Sequence, residues 1–497
     1  MINKKFSTNF LEAKIRQEID FREIFRSRLP ELSRLETRES FTGSGMKKVR
    51  WSEKISAFFH QADKKKITAS IIIVMIAAAA TVLLLVNNTR RIQHVTLNIN
   101  ARTDIGSITT ATPLVYDING DRRLDIVIGD ESGNVHVFDG PSLKKIFQYV
   151  SASPVIASPL VYDVNRDGEK EIIAACDNGQ IHIINRKGEY LYFSRREFFS
   201  EKIYATPAII SRKEMEMIVM CGMGGTVCAI EGRYGLPLWK NSDLKAGHAQ
   251  IFSSPAVLDI NRDGVPDLLI ASGNGYISAL DSVTGNEIWF LKPGGPFKAS
   301  ICLGNFLSAG SAAALDMEGN LFIIDPEKGS LLLEMKLPAP SQASPAAADV
   351  SGGKFDEIAV NNQLGQVMLI SPQNRRIIWT FNTSVNNEFK ASPIFFDANN
   401  DGTPDVIAVS GGGRLYILNG KTGELVTRVL EIGENVTASP VLADINRDGH
   451  PDILIAADGG NLAVISIVTS PDTLVTPGQI IVPGFLNNRQ RQGNYSR

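Results

Sequence analysis

The sequence predicts an all-β fold, an eight-bladed β-propeller, on three observations. A Ser-Pro or Thr-Pro pair returns at near-constant spacing, short apolar runs fill each interval, and Gly- or Asp-rich turns separate the runs. The pairs are Thr112-Pro113, Ser158-Pro159, Thr206-Pro207, Ser254-Pro255, Ser344-Pro345, Ser392-Pro393 and Ser439-Pro440, at intervals of 46, 48, 48, 90, 48 and 47. The interval of 90 hides one unit that begins near Ser300, so eight units of about 47 residues occupy the chain. A seven-bladed ring is the alternative count.

Each unit has the same grammar, clearest in the fourth. An apolar run at 255–259 is followed by an Asp-rich turn at 261–267, a second run at 268–271, a Gly-centred turn at 273–275, a third run at 276–280 and a closing stretch at 285–289. These runs are shorter than the ~10–12 residues of a helix and read as four strands. One four-stranded antiparallel sheet cannot bury both faces alone, whereas sheets stacked radially bury each other. Trp239, Trp289 and Trp379 recur in register at the closing stretch, with Phe147, Phe193, Leu333 and Thr427 filling the place elsewhere. Recurrence points to wedging between blades rather than to ligand stacking. The last unit lacks a clear fourth strand after residues 461–468, and a strand at 95–100, ahead of the first unit, is expected to complete it and close the ring.

The part before the repeats has a different character. Of 497 residues, 43% are hydrophobic and 21% charged, which excludes wholesale disorder, and the net charge of -2 gives no electrostatic footprint for nucleic acid. That balance hides a basic residues 1–66, at +7, and an acidic remainder, at -9. The divider, from Ile67 to Val86, is ITASIIIVMIAAAATVLLLV, uncharged and long enough at ~1.5 Å per residue to span a bilayer core of ~30 Å. We expect one transmembrane helix there. Signal peptides start near the N-terminus, so an uncleaved anchor is favoured. Arg50, Lys54, Lys64, Lys65 and Lys66 on the N-terminal flank place the N-terminus in the cytoplasm and residues 87–470 outside it, in periplasm or extracellular space, at the plasma (inner) membrane. Within the basic tail, Leu11, Ile15, Ile19, Phe21, Ile24, Phe25 and Leu29 describe an amphipathic helix ending before Pro30, which either docks a cytoplasmic partner or lies on the anionic inner leaflet. Residues 471–497 form a C-terminal tail.

The Asp-rich turns carry the strongest site signal. Between the first and second strands, five units place oxygen-bearing side chains at positions 1, 3, 5 and 9: Asp117, Asn119, Asp121 and Asp125; Asp163, Asn165, Asp167 and Glu171; Asp259, Asn261, Asp263 and Asp267; Asp397, Asn399, Asp401 and Asp405; Asp444, Asn446, Asp448 and Asp452. Hard oxygen donors at this spacing suit Ca2+, which takes six to eight oxygens, with a backbone carbonyl at position 7 from Arg123, Glu169, Val265, Thr403 and His450. Up to five structural calcium sites are therefore expected. The bland alternative is Asp/Asn-Gly turn chemistry without metal. Gly stands at position 6 in four loops and Arg122 in the first, which predicts that the first site is the most strained or the weakest. Asp349, Ser351 and Asp356 of the sixth unit keep too few oxygens, and the turns at 211–216 and 305–311 lack the pattern.

These turns resemble the FG-GAP (integrin-α-like) and VCBS repeats, and Thr284-Gly285-Asn286-Glu287-Ile288-Trp289 resembles the tryptophan-docking repeat of quinoprotein (PQQ-like) propellers. The resemblance implies a propeller over residues 95–470 with calcium in a structural role, bracing blades. It says little about function, since such propellers serve adhesion, assembly and catalysis alike.

A PQQ-dependent dehydrogenase would need an adjacent-cysteine disulfide, and Cys176, Cys221, Cys228 and Cys302 are scattered. Cys221 and Cys228 flank a turn and either pair across a hairpin or remain buried thiols. His94, His136, His182, His248 and His450 read as solitary structural residues, and no nucleophile–base motif, zinc spacing or phosphate loop is present. The expectation is a non-enzymatic, single-pass membrane protein that displays a calcium-stabilised propeller to protein partners, for assembly or adhesion. A receptor for a sugar or peptide, reporting through the tail, is the second reading.

Overall fold

The computed structural model describes residues 95–244, 249–383 and 387–469. The expected membrane helix from Ile67 to Val86, the amphipathic helix before Pro30 and both terminal tails lie outside the described residues. Among the described residues there is no helix, and none long and apolar enough to cross a membrane.

Thirty-two strands form eight four-stranded antiparallel sheets. Seven are sequential hairpin stacks, as in blade 1, where β2 (Leu114–Tyr116), β3 (Asp125–Gly129), β4 (Asn134–Asp139) and β5 (Lys145–Val150) follow one another from the axis outward. In the eighth, β1 (Thr96–Asp104) is the outer strand, followed inward by β32 (Asn461–Val468), β31 (Asp452–Ala456) and β30 (Val441–Ala443). Thr96 pairs with Val468 and Asp104 with Asn461, with one bulge between Ile99 and Ala101. The strand expected at 95–100 thus closes the ring and extends to Asp104. An eight-bladed propeller is the observed count, and the seven-bladed alternative is ruled out.

The burial pattern follows from position. Second strands such as β3, DIVIG, are buried at every residue because a blade packs on each face. Outer strands alternate or are exposed, as in β5. Every interface between neighbouring blades holds its own apolar cluster, eight in all. The cluster joining blade 8 to blade 1 packs Ile445, Leu454 and Val464 against Ile126, Ile128 and Phe138.

Alternating strands place first-to-second and third-to-fourth turns on one face, called the loop face here, and the remaining turns with the interblade connections on the opposite, connection face. On the loop face, the closing tryptophans wedge between blades. Trp239 donates its indole N–H to the Ser282 carbonyl at 2.8 Å, Trp289 to Pro326 at 2.8 Å and Trp379 to Gly420 at 2.7 Å, each in the following blade. The rings lie on Gly285, Gly329 and Gly423, all with positive φ, where an added Cβ would come within 2.4–2.6 Å of the indole. In blade 2 the equivalent is Tyr192, not Phe193. The third-to-fourth turn of this blade is one residue shorter than in its neighbours, Ile184 pairing with Tyr190 where Ile230 pairs with Pro237, so Tyr192 packs on Gly235 and hydrogen-bonds the Gly232 carbonyl while Phe193 is exposed.

Candidate functional site

All five Asp-rich loops fold alike on the loop face. The position-1 carboxylate accepts the N–H of position 6, as Asp397 does from Gly402 at 2.7 Å and Asp163 from Gly168 at 3.0 Å. The position-3 amide oxygen accepts the N–H of position 5: Asn119 from Asp121, Asn165 from Asp167, Asn261 from Asp263, Asn399 from Asp401 and Asn446 from Asp448, at 2.8–2.9 Å. The position-5 carboxylate accepts the N–H of position 7, so Arg123, Glu169, Val265, Thr403 and His450 each donate at 2.8 Å. These are successive Asx turns, which Asp and Asn form because their short side chains reach backbone two residues on.

The position-9 carboxylates do something different. One oxygen of Asp125, Glu171, Asp267, Asp405 and Asp452 accepts the N–H of position 2, at 3.0–3.2 Å. Glu357 does the same for Val350 at 2.9 Å in the sixth blade, whose loop lacks the full oxygen set. Position 9 therefore braces the turn independently of the rest of the pattern. Glu357, not Asp356, is its occupant there; Asp356 instead accepts the N–H of Asn305 in blade 5 at 2.7 Å. In blades 3 and 5 the turn is too short for the pattern, since Ser211 pairs with Glu216 and Gly304 with Ser311.

Strain is shared evenly rather than concentrated in the first loop. Position 4 is left-handed and non-glycine in the other four, with Arg166, Arg262, Asn400 and Arg447 at φ 56–62°, and Gly occupies position 6. The first loop exchanges the two, with Gly120 at position 4 and Arg122 at 68°. What sets it apart is charge. Arg123 pairs with Asp121 at 3.0 Å and Asp139 at 2.9 Å, and its hydrogen bonds hold the Asp121 carboxyl below its usual range. Arg166 and Arg262 instead reach the next blade, to Glu216 and Glu327.

The donor set fits a hard divalent cation in chemistry, being all oxygen. Among the described residues, no group of three or more His, Cys, Asp or Glu side chains is arranged to hold a metal ion, so the three carboxylates of each loop do not converge on one point. Two observations mark unmet negative charge. Asp125 Oδ1 and Asp444 Oδ1 are buried without a hydrogen-bond partner. Burial, and after it the neighbouring loop carboxylates, push Asp125 up to about 6, Glu171 to about 7 and Asp405 to about 8.

Other sequence candidates resolve as structure. Cys221 faces the cluster between blades 3 and 4 and Cys228 the cluster between blades 2 and 3, so they lie on opposite sides of one sheet and are free buried thiols. His136 is not solitary: its Nε2 lies 2.8 Å from Asp130, both buried, and Asp130 also accepts from Asn134. His182 accepts or donates at Nδ1 to the Tyr149 hydroxyl at 2.8 Å.

Residues 373–455 match the FG-GAP-like repeat, and residues 200–379 match the family described as outer membrane protein assembly factor BamB, whose repeats are of the PQQ type. The repeats are of the FG-GAP and PQQ-like kinds. No curated protein matches the chain. Among solved structures, BamB from Moraxella catarrhalis is 14% identical with a TM-score of 0.57, covering 75% of this chain and 100% of its own. Sqt1 from Saccharomyces cerevisiae is 16% identical with a TM-score of 0.59, covering 76% and 100%. The quinohemoprotein alcohol dehydrogenase of Comamonas testosteroni is 13% identical with a TM-score of 0.56, covering 77% and 78%. At these identities the likeness is one of fold. The chain is an eight-bladed propeller with repeats similar to those of BamB-like and PQQ-type proteins.

Proposed function

We propose that this protein is a membrane-anchored, calcium-stabilised assembly scaffold that acts by binding proteins outside the cytoplasm. The observation that carries the reading is the match of residues 200–379 to an outer membrane protein assembly factor, on a closed ring whose turns are held by backbone and side-chain hydrogen bonds. The uncharged stretch from Ile67 to Val86, with lysines at 64–66 on its N-terminal side, supports the anchor. The orphaned Asp125 and Asp444 oxygens and the raised position-9 carboxyls support calcium in the loops. Asp163, Asn165 and Asp167, with their counterparts in the fourth, seventh and eighth blades, would hold it, and the ion would supply positive charge that locks each turn. The first loop, already carrying Arg123, would bind least.

A binding role in place of catalysis draws support from the cysteines. The quinoprotein resemblance implies an adjacent pair, while here Cys176, Cys221, Cys228 and Cys302 are spread over three blades.

The deciding experiment is crosslinking of the full-length protein in its native membrane, with and without added small ligands, together with protease protection of the propeller. A scaffold gives the same envelope partners in both conditions and a propeller shielded from cytoplasmic protease. A partner recruited to residues 1–66 only when ligand is present favours the receptor. Quinone-dependent substrate oxidation overturns the scaffold in favour of an enzyme.

A further inference from the structure

The connection face carries a site that the loop pattern does not predict. Two residues before each Ser/Thr-Pro pair, the chain lies near the axis on the connection face, a place called the axial mouth here, because the Ser/Thr residues themselves are linked blade to blade around the axis. Five consecutive members of this upper ring are Tyr204, Phe252, Lys298, Gln342 and Lys390, on blades 3 to 7. The side chains of the first four are linked in sequence. The Tyr204 and Phe252 rings lie 6.2 Å apart, Lys298 Nζ sits 5.5 Å over the Phe252 ring, and the same nitrogen donates to Gln342 Oε1 at 2.9 Å. Lys390 is near enough that its charge, after burial, lowers the affinity of Lys298 for its proton. The remaining three members, on blades 8, 1 and 2, are uncharged.

One side of the mouth thus carries two ammonium groups, on blades 5 and 7, with that of Lys298 over the Phe252 ring. Lys390 is paired with Glu388 at 2.8 Å, whereas Lys298 makes no ion pair among the described residues. Two like charges on one side of the ring, one without an ion-pair partner among the described residues, attract an anion, and the rings offer apolar surface beside it.

We propose that this mouth binds a carboxylate flanked by an apolar group, held between Lys298 and Lys390 with the apolar part against Tyr204 and Phe252. The proposal deepens the scaffold reading and rests on it for the source of the carboxylate, an extended acidic–aromatic segment of a partner protein. Glu388 is the internal competitor that the incoming carboxylate displaces from Lys390.

The test uses the full-length protein and three probes: a fluorescent peptide of alternating Phe and Glu, the same peptide with Gln for Glu, and phenylacetate as a small carboxylate. The Phe–Glu peptide is expected to bind saturably, more weakly as salt rises, and the Gln peptide to bind at least tenfold more weakly. Lys298→Gln is expected to weaken binding about tenfold, the loss of one charge-assisted hydrogen bond, and Lys298→Gln with Lys390→Gln to remove it. Both lysines are exposed, so circular dichroism should show the variants folded. Equal binding of Glu and Gln peptides, or binding unchanged in the double variant, overturns the site. Lysine-dependent binding of phenylacetate without the peptide keeps the carboxylate site and overturns its protein source. Envelope partners that crosslink equally to wild type and double variant overturn the site while leaving the scaffold standing.

Discussion

The backbone N–H of Ser439 donates to the hydroxyl of Thr112 at 3.1 Å, joining the last repeat to the first across 327 positions. The same bond recurs around the ring. Thr112 donates to Ser158, Thr206 to Ser254, Ser254 to Ser300, Ser300 to Ser344, Ser344 to Ser392 and Ser392 to Ser439, all at 2.9–3.0 Å. The residue type that reveals the repeat in the sequence is thus the latch between blades. Proline follows each latch residue and has no N–H, so the Ser/Thr N–H is the donor at this point of the chain and the hydroxyl of the next blade is its acceptor.

Thr112→Ala should leave the buried Ser439 N–H without its acceptor and cost about 1–3 kcal/mol, whereas Thr112→Ser keeps the hydroxyl and should cost less. Urea denaturation checks both. Equal losses for the two variants would mean that the Thr112 methyl, not the closure bond, carries the effect.

Gly285→Ala combines a left-handed backbone with a Cβ placed 2.4 Å from the Trp239 ring. The expected loss is about 2–4 kcal/mol, the sum of left-handed strain and overpacking. Gly264→Ala, at φ +86° with open space around it, isolates the backbone share and should cost less.

His182 gives the pH dependence. Burial lowers it to about 4 from an ordinary 6.5, so the folded state binds fewer protons than the unfolded chain between those values. Its stabilising contribution is complete above about pH 6.5 and is lost as pH falls towards 4, by roughly 2–3 kcal/mol. His182→Phe should flatten stability over that window relative to wild type. An unchanged slope would place the acid sensitivity elsewhere.

Chelation tests the loops. Removing calcium should lower the melting temperature of the full-length protein through loss of ligand linkage, and restoring it should reverse the shift. Asp397→Asn and Asp163→Asn should each reduce the calcium found by elemental analysis by one equivalent, with Asp117→Asn having the smallest effect because Arg123 already neutralises that loop. No bound calcium and no chelator effect would leave the loops as metal-free Asx turns.

Much of the fold was legible because propeller repeats write their periodicity into turn residues. Spacing gave eight units, and the missing fourth strand after 461–468 pointed to 95–100 for closure. The finer register was not legible. The third-to-fourth turn of blade 2 is one residue shorter than in blades 1 and 3, which puts Tyr192 in the wedge position that periodicity gives to Phe193, because one residue fewer reverses which side chain faces the next blade. Position 9 was visible as a carboxylate, but its hydrogen bond to position 2 was not, nor was the substitution of Glu357 for Asp356 in that role.

The sequence by itself determined the class of fold, the number of blades and the order in which strands pair, since all three follow from local patterns of apolar runs and turn residues. Only the tertiary structure decided what meets across blades: tryptophan on glycine, arginine on the neighbouring turn, and Lys298 beside Phe252 at the axial mouth. Residues some 46 positions apart become neighbours there by radial stacking, a relation that distance along the chain does not encode.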